Sequence, residues 1–306
     1  MTSERDRFRG ALLGLACGDA LGATLEFKPR GSFPPLEDML GQGPYNLRAG
    51  DWTDDTSMAL CLARSLVETG RFDALDQMKR YVRWWREGYL SSTGKCFDIG
   101  ITIRAALARF EKTGDPFSGS TDAQSAGNGS LMRLAPLPMF FAPDSARSIH
   151  FSAESSRTTH GSAESVDACR LFGAMLSRAL AGADRDAVLA AGEDLASASK
   201  PLAPKIAAIA RGEFRAKQER EIRGSGYVVA SLEAALWSFA TTTSFRDAVL
   251  RAANLGEDAD TTAAICGQIA GAFYGEAEIP AAWRAKLALR ELIEETADAL
   301  SKARPT

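Results

Sequence analysis

Two acidic clusters stand about 200 residues apart in this 306-residue chain, each opening an apolar helical pattern. The first is Thr53-Asp54-Asp55-Thr56, ahead of the run Met58 to Glu68; the second is Gly256-Glu257-Asp258-Ala259-Asp260-Thr261-Thr262. Both carry the pattern Asp-Thr-hydroxyl-x-Ala, in Asp55 to Ala59 and in Asp260 to Ala264, which points to two similar helix starts facing each other. Asp or Thr at a helix start caps orphan amides and complements the helix dipole. A cap uses one such side chain, however, and these clusters offer several oxygens in succession. Brought together, four or five carboxylates would drive one another's pKa up unless a cation neutralised them. Carboxylate and hydroxyl ligands without His or Cys select hard cations such as Mg²⁺ or Mn²⁺. The chain has two histidines, which argues against zinc.

Gly127-Asn128-Gly129-Ser130, followed by Leu131-Met132-Arg133, is either turn chemistry or a glycine-rich anion cradle ahead of a short helix. Asp98 precedes an amphipathic helix and reads as a cap. His160 reads as a polar residue near a helix start. Tyr227, in Gly224-Ser225-Gly226-Tyr227, reads as a core aromatic opening a helix. Trp84 and Trp85 point in different directions on one helix, so at least one belongs to the core. Gly267-Gln268-Ile269-Ala270-Gly271 reads as close helix packing by small residues. The basic stretch Arg211, Arg215, Lys217, Arg220, Arg223 reads as a solvated face.

The elements that must position these residues are helical. Apolar residues recur at helical spacing almost throughout, and alternating β-branched runs are nearly absent, so the class is all-α. Phe8, Leu12, Leu15 and Asp19 share one stripe of a first helix ending near Ala20 to Gly22. Further helices are expected over 56–69, 73–87, 99–112, 161–182, 185–198, 228–240, 244–254, 261–274 and 281–301, with Gly70, Gly88, Gly114 and Gly275 at several ends. Two connections are long, 23–53 and 115–130, and loops of that length in a compact domain tend to be functional. The length, with 45% hydrophobic residues, suits one domain over 1–306, its core about 7–283 and a C-terminal helix and tail over 284–306. A net charge of −3 gives no basic field for non-specific nucleic-acid binding. Five scattered cysteines without a C-x-x-C pair fit a reducing cytoplasm. The run Ala11 to Ala16 is too short and too flanked by acids for a signal core, and no stretch has the roughly 18 apolar residues of a membrane span.

With Gly18-Asp19-Ala20-Leu21-Gly22 and Glu26-Phe27, the two clusters resemble the ADP-ribosylglycohydrolase family, including its dinitrogenase reductase-activating branch, from Arg7 to about Trp283. The resemblance implies an orthogonal helical bundle around two Mg²⁺ or Mn²⁺ ions, ligated by Thr53, Asp54, Asp55, Asp258, Asp260 and Thr261. It implies a pocket for ADP-ribose beside Gly127, Asn128, Gly129, Ser130 and Met132, with Asp98 and Gly100 near the ribose, His160 on the wall and Tyr227 stacking adenine. Glu257 stands where many relatives have glycine, which adds a carboxylate beside the site.

Ligand set and resemblance together imply a glycosidic hydrolysis. The cations would grip the ribose 2″- and 3″-hydroxyls, and a water oriented by Asp55 would attack the anomeric carbon. Asp98 or Glu26 would protonate the leaving group or stabilise the opened sugar. The first expectation for the substrate is ADP-ribosyl-arginine on a protein. Serine-linked, nucleic-acid-linked and small-molecule ADP-ribose are alternatives, as are a non-catalytic ADP-ribose-binding protein and a phosphohydrolase.

Overall fold

Every regular element in the computed structural model, which describes residues 2–192, 195 and 201–304, is helical, as expected. Extended pairing is limited to isolated bridges, Gln42 with Leu47, Ser120 with His160 and Gly127 with Tyr227. In chain order the helices are α1 (Glu4–Gly22), α2 (Asp54–Thr69), α3 (Ala74–Glu87), α4 (Ile101–Thr113), α5 (Pro136–Phe141), α6 (Ser145–Thr159) and α7 (Ala163–Leu180). There follow α8 (Arg185–Leu189), α9 (Pro204–Ala210), α10 (Val228–Ala240), α11 (Phe245–Ala253), α12 (Ala259–Tyr274), α13 (Ala281–Lys286) and α14 (Arg290–Lys302).

Helices α1 and α12 form the centre. Residues 10–22 of α1 and 259–272 of α12 are all buried, the condition of a helix surrounded by other helices. They run antiparallel in direct backbone contact. A Cβ on Gly10, Gly14, Gly18 or Gly22 would stand 2.1–2.3 Å from the carbonyl oxygens of Gly271, Gly267, Ala263 and Ala259 in turn. The four-residue spacing places these glycines in one stripe, and no other side chain fits between the two backbones. Around this pair, Ile293, Ala297 and Leu300 of α14 join the common core, and Arg9 on α1 pairs with Asp298 at 2.8 Å.

Most expected helices fall within about two residues of their observed bounds, and Gly70, Gly88 and Gly114 end theirs in the left-handed conformation. Trp84 is core and Trp85 half-buried. Three short or polar helices escaped the pattern. α5 begins with proline at its first turn, where the missing N–H costs nothing, and α9 does the same. α6 turns a buried face of serines, Ser148, Ser152, Ser155 and Ser156, into the interior, so it carries no apolar period.

Two expected spans are corrected. The single helix over 281–301 is broken at 287–289, where Ala288 donates to the Gly50 carbonyl and accepts from Trp52 Nε1 at 3.0 Å, and Leu289 is left-handed. Those bonds use backbone groups that a continuous helix would consume. Helix α8 stops at Leu189; residues 193, 194 and 196–198 of the expected span lie outside the described residues.

The close approach of α1 and α12 makes Gly14→Ala a sharp test. Alanine gains about 1 kcal/mol of helix propensity, but its methyl group must push two backbones apart, at a cost of about 3 kcal/mol or more. Urea unfolding should show a net loss of stability; equal or greater stability would remove this contact from the account of the fold.

Candidate active site

Because α1 and α12 run antiparallel, the end of α1 lies beside the start of α12, and Asp19 comes to rest against Asp260. Asp19 also reaches the start of α2. Its Oδ1 accepts from the amide and hydroxyl of Thr53 at 2.8 and 2.9 Å, and its Oδ2 from the amide and hydroxyl of Thr56 at 3.0 and 2.6 Å. A carboxylate from another helix therefore caps α2. Thr53 and Asp258, the N-cap residues of α2 and α12, make no capping bond with their side chains. Capping by the N-cap side chains is absent at both clusters; Asp260 Oδ1 accepts from the Thr261 amide at 2.7 Å, and the remaining oxygens are available for something else.

Those oxygens converge. Asp19, Asp55 and Asp260 each offer a carboxylate oxygen within 4.8 Å of the others, and so do Glu26, Asp98 and Asp260. Thr53 Oγ1 lies 3.1 Å from Asp55 Oδ2 and 3.3 Å from Asp260 Oδ2, and Thr261 Oγ1 lies 3.5 Å from Asp55 Oδ2. Asp258 accepts from Asn128 Nδ2 at 2.8 Å. Both helix N-termini point their dipoles at the cluster, a favourable but small compensation for so much negative charge.

Burial, with repulsion from Asp98, pushes Glu26 up to about 9; burial pushes Asp98 and Asp19 up to about 6. Burial and the neighbouring carboxylates raise Asp54, Asp55 and Asp260 well above the usual range. Asp55 Oδ1 and Glu26 Oε2 are buried without a hydrogen-bond partner among the described residues. Orphaned carboxylate oxygens in an all-oxygen donor set fit a hard divalent cation.

The cluster forms one side of a cavity of about 550 Å³. Glu26, Asp54, Asp98, Gly100, Asp258, Asp260 and Thr261 line it, with Gly127, Asn128, Gly129, Met132 and His160. Thr53 and Asp55 are buried behind this wall. Glu26 is 5% exposed, and the segment after it is clasped to the α12 cluster by Phe27 N to Glu257 O at 2.7 Å and Glu257 N to Lys28 O at 2.8 Å.

Three expectations need correction. Ser130 faces inward, bonded to Ser156 Oγ at 2.8 Å and near Cys169, rather than to the cavity. Residues 129–133 are turns and α5 starts only at Pro136, so the glycine loop does not open a helix of its own. Glu257 is exposed and outside the cavity wall, and its φ of 59° is a conformation that glycine adopts freely. Tyr227 lies in an adjoining hollow of about 810 Å³ that shares Thr102, Gly127 and Gly226 with the cavity. Its hydroxyl bonds Lys205 Nζ at 2.8 Å. Two contributors were not foreseen: Tyr45, on the cavity wall beside Asp98, and Gln268, which holds the 131–135 turn through Leu131 O, Met132 O and Ala135 N. A buried glutamine between two glycines of an apolar helix was the available signal for the latter.

The family model described as ADP-ribosylglycohydrolase matches residues 1–306. The chain belongs to this family. It is 46% identical over 300 residues to a protein of Pseudomonas putida named ADP-ribosylarginine hydrolase Tri1, covering 98% of this chain and 79% of that one. It is 31% identical to the ADP-ribosyl-[dinitrogen reductase] glycohydrolase of Rhodospirillum rubrum, over 94% of this chain and 92% of that protein. A solved structure titled as an ADP-ribosylglycohydrolase-related protein complex superposes with a TM-score of 0.88 at 43% identity, covering 99% of both chains. No helix among the described residues of this glycohydrolase is long and apolar enough to cross a membrane.

Raised carboxyl pKa values give the cation-free glycohydrolase a definite pH dependence. A carboxyl whose folded pKa exceeds its unfolded value binds more protons in the folded state, so stability falls as pH rises toward the folded pKa. Glu26, at about 9, extends that window upward. With chelator present, the melting temperature should fall between about pH 7.5 and about pH 9, a range above the ordinary histidine value of about 6.5. Mg²⁺ or Mn²⁺ should raise the melting temperature most at the high end. A flat profile in chelator would show that the carboxylates are not in conflict.

Proposed function

We propose that this chain hydrolyses the bond joining ADP-ribose to an arginine side chain of a protein, with two Mg²⁺ or Mn²⁺ ions held by Thr53, Asp54, Asp55, Asp258, Asp260 and Thr261. The convergence of buried, partly orphaned carboxylates on one cavity carries the reading, and the similarity to proteins named for arginine and dinitrogen reductase supports the linkage. Bound cations would supply a grip on the ribose hydroxyls and a lowered pKa for water.

The chain's own residues supply the proton traffic. Asp55 takes the proton from the water whose oxygen joins the anomeric carbon. Glu26 and Asp98 stand close together on the cavity wall, where burial favours the protonated form of each, and are the pair placed to hold a proton there. That pair returns a proton to the guanidine nitrogen as the C–N bond breaks. Asn128 steadies Asp258, and the hollow around Tyr227 takes the adenine. Five free cysteines among the described residues suit a reducing cytoplasm, where we place the protein.

The linkage is tested by incubation with arginine-, serine- and DNA-linked ADP-ribose, followed by mass spectrometry. Release of free ADP-ribose from the arginine adduct is expected, and Asp55→Asn should slow it about 100-fold or more. AMP as product would instead indicate phosphohydrolysis, and binding without turnover a recognition module. Tyr227→Ala should weaken ADP-ribose binding about 5- to 150-fold by calorimetry, the range for losing one stacked ring; unchanged affinity in a folded variant would remove Tyr227 from the site.

A further inference from the structure

Beneath the glycine-rich loop lies a guanidinium that the reaction scheme does not use. Arg133 is completely buried and has no carboxylate partner among the described residues. Its Nη1 donates to the Gly129 carbonyl at 3.2 Å, its Nη2 to Thr159 Oγ1 at 2.7 Å, and its charge lies 4.6 Å over the Tyr81 ring. Thr159 Oγ1 in turn lies 2.9 Å from His160 Nδ1.

Donor and acceptor roles along this chain follow from the chemistry of its first member. A guanidinium can only donate, so Thr159 Oγ1 accepts from Arg133 and keeps its own hydrogen for another partner. His160 Nδ1 is the acceptor in reach. If Nδ1 carried the ring proton, Thr159 would accept twice and its own hydrogen would have no acceptor among the described residues. The neutral ring therefore carries its proton on Nε2. That atom lies 3.2 Å from the points where Cβ atoms of Gly127 and Gly129 would stand, in the cavity wall.

We propose that Arg133 and Thr159 are positioning residues that lock His160 in the Nε2–H form, aimed between Gly127 and Gly129 at an oxygen of the substrate. The glycines then have a purpose other than a helix-start cradle: a Cβ at Gly129 would approach His160 Cε1 to 2.9 Å and cover the donor. Burial and the charge of Arg133 also push the imidazole down to about 3, which keeps it neutral. Fixed in this form, the ring offers no lone pair to a cation in the cavity and remains a one-way donor to an acceptor such as a phosphate or ribose oxygen. Only the identity of that oxygen rests on the ADP-ribose reading.

The chain has two histidines, so long-range ¹H–¹⁵N spectra of the Mg²⁺-loaded, ¹⁵N-labelled protein resolve the question, with His150→Gln assigning the signals. His160 should show protonated Nε2 and bare Nδ1, unchanged from about pH 6 to about pH 8, and ADP-ribose should shift Nε2. Thr159→Val should mix the two tautomers and weaken ADP-ribose binding roughly tenfold, the scale of one lost hydrogen bond, whereas Thr159→Ser should restore both. Wild-type protein with Nδ1 protonated, or a Val variant with the wild-type spectrum, would overturn the relay. Should Thr159→Val fail to fold, the wild-type spectrum still decides. The expected spectrum in a protein that leaves the arginine adduct uncut would support the relay while refuting the arginine linkage.

Discussion

Everything in this molecule hangs on the direct contact of two helix backbones. With glycine or alanine at every meeting point, α1 and α12 approach until carbonyl oxygens lie where side chains would otherwise stand. The contact fixes register as well as distance, because a one-residue slip would set a larger side chain against a backbone. Register is what the site needs. It puts Asp19 and Glu26, from the end of α1 and the turn after it, against Asp258 and Asp260 at the start of α12, and the capping of α2 by Asp19 then brings Thr53, Asp54 and Asp55 into the same space.

A helix start ordinarily spends its oxygen side chains on its own amides. Here that work is delegated to Asp19, whose two oxygens are each matched with an amide and a hydroxyl. Delegation leaves the cluster with more negative charge and fewer satisfied lone pairs than a folded protein tolerates gladly, and the raised carboxyl pKa values report the same conflict. The fold thus holds the carboxylates together against their repulsion. His160 illustrates the complementary device, a ring whose chemistry is narrowed by neighbours that never touch the cavity.

How far the sequence foretold this differs from feature to feature. The paired acidic helix starts were legible because their spacing and repeated pattern are local, and the cavity gathers Asp54, Asp98, Asp258, Asp260 and Thr261 with the glycine loop. The capping by Asp19 was not legible, since a buried aspartate on an apolar stripe does not say which distant amides it serves. Half of the glycine contact is legible in Gly267 to Gly271, but the matching four-residue stripe on α1 is masked by its leucines and alanines. Helix α6 was missed because serines line its buried face. The break at 287–289 depends on bonds to Gly50 and Trp52, partners more than 230 residues away that no local pattern encodes.

The order in which the chain is made gives the central contact one more meaning. Gly10 leaves the ribosome long before Gly271 exists, and Gly22 well before Ala259, so the partner of α1 arrives only when most of the protein has been synthesised. At roughly 5–20 residues per second that interval is on the order of 10–50 s. Throughout it the glycine face of α1 lacks the helix it is built to meet, and the carboxylates of the second cluster have not yet been translated, although α2, which Asp19 caps, is already made. The glycine face of α1 therefore stays uncovered until late in synthesis, and the second half of the site closes last.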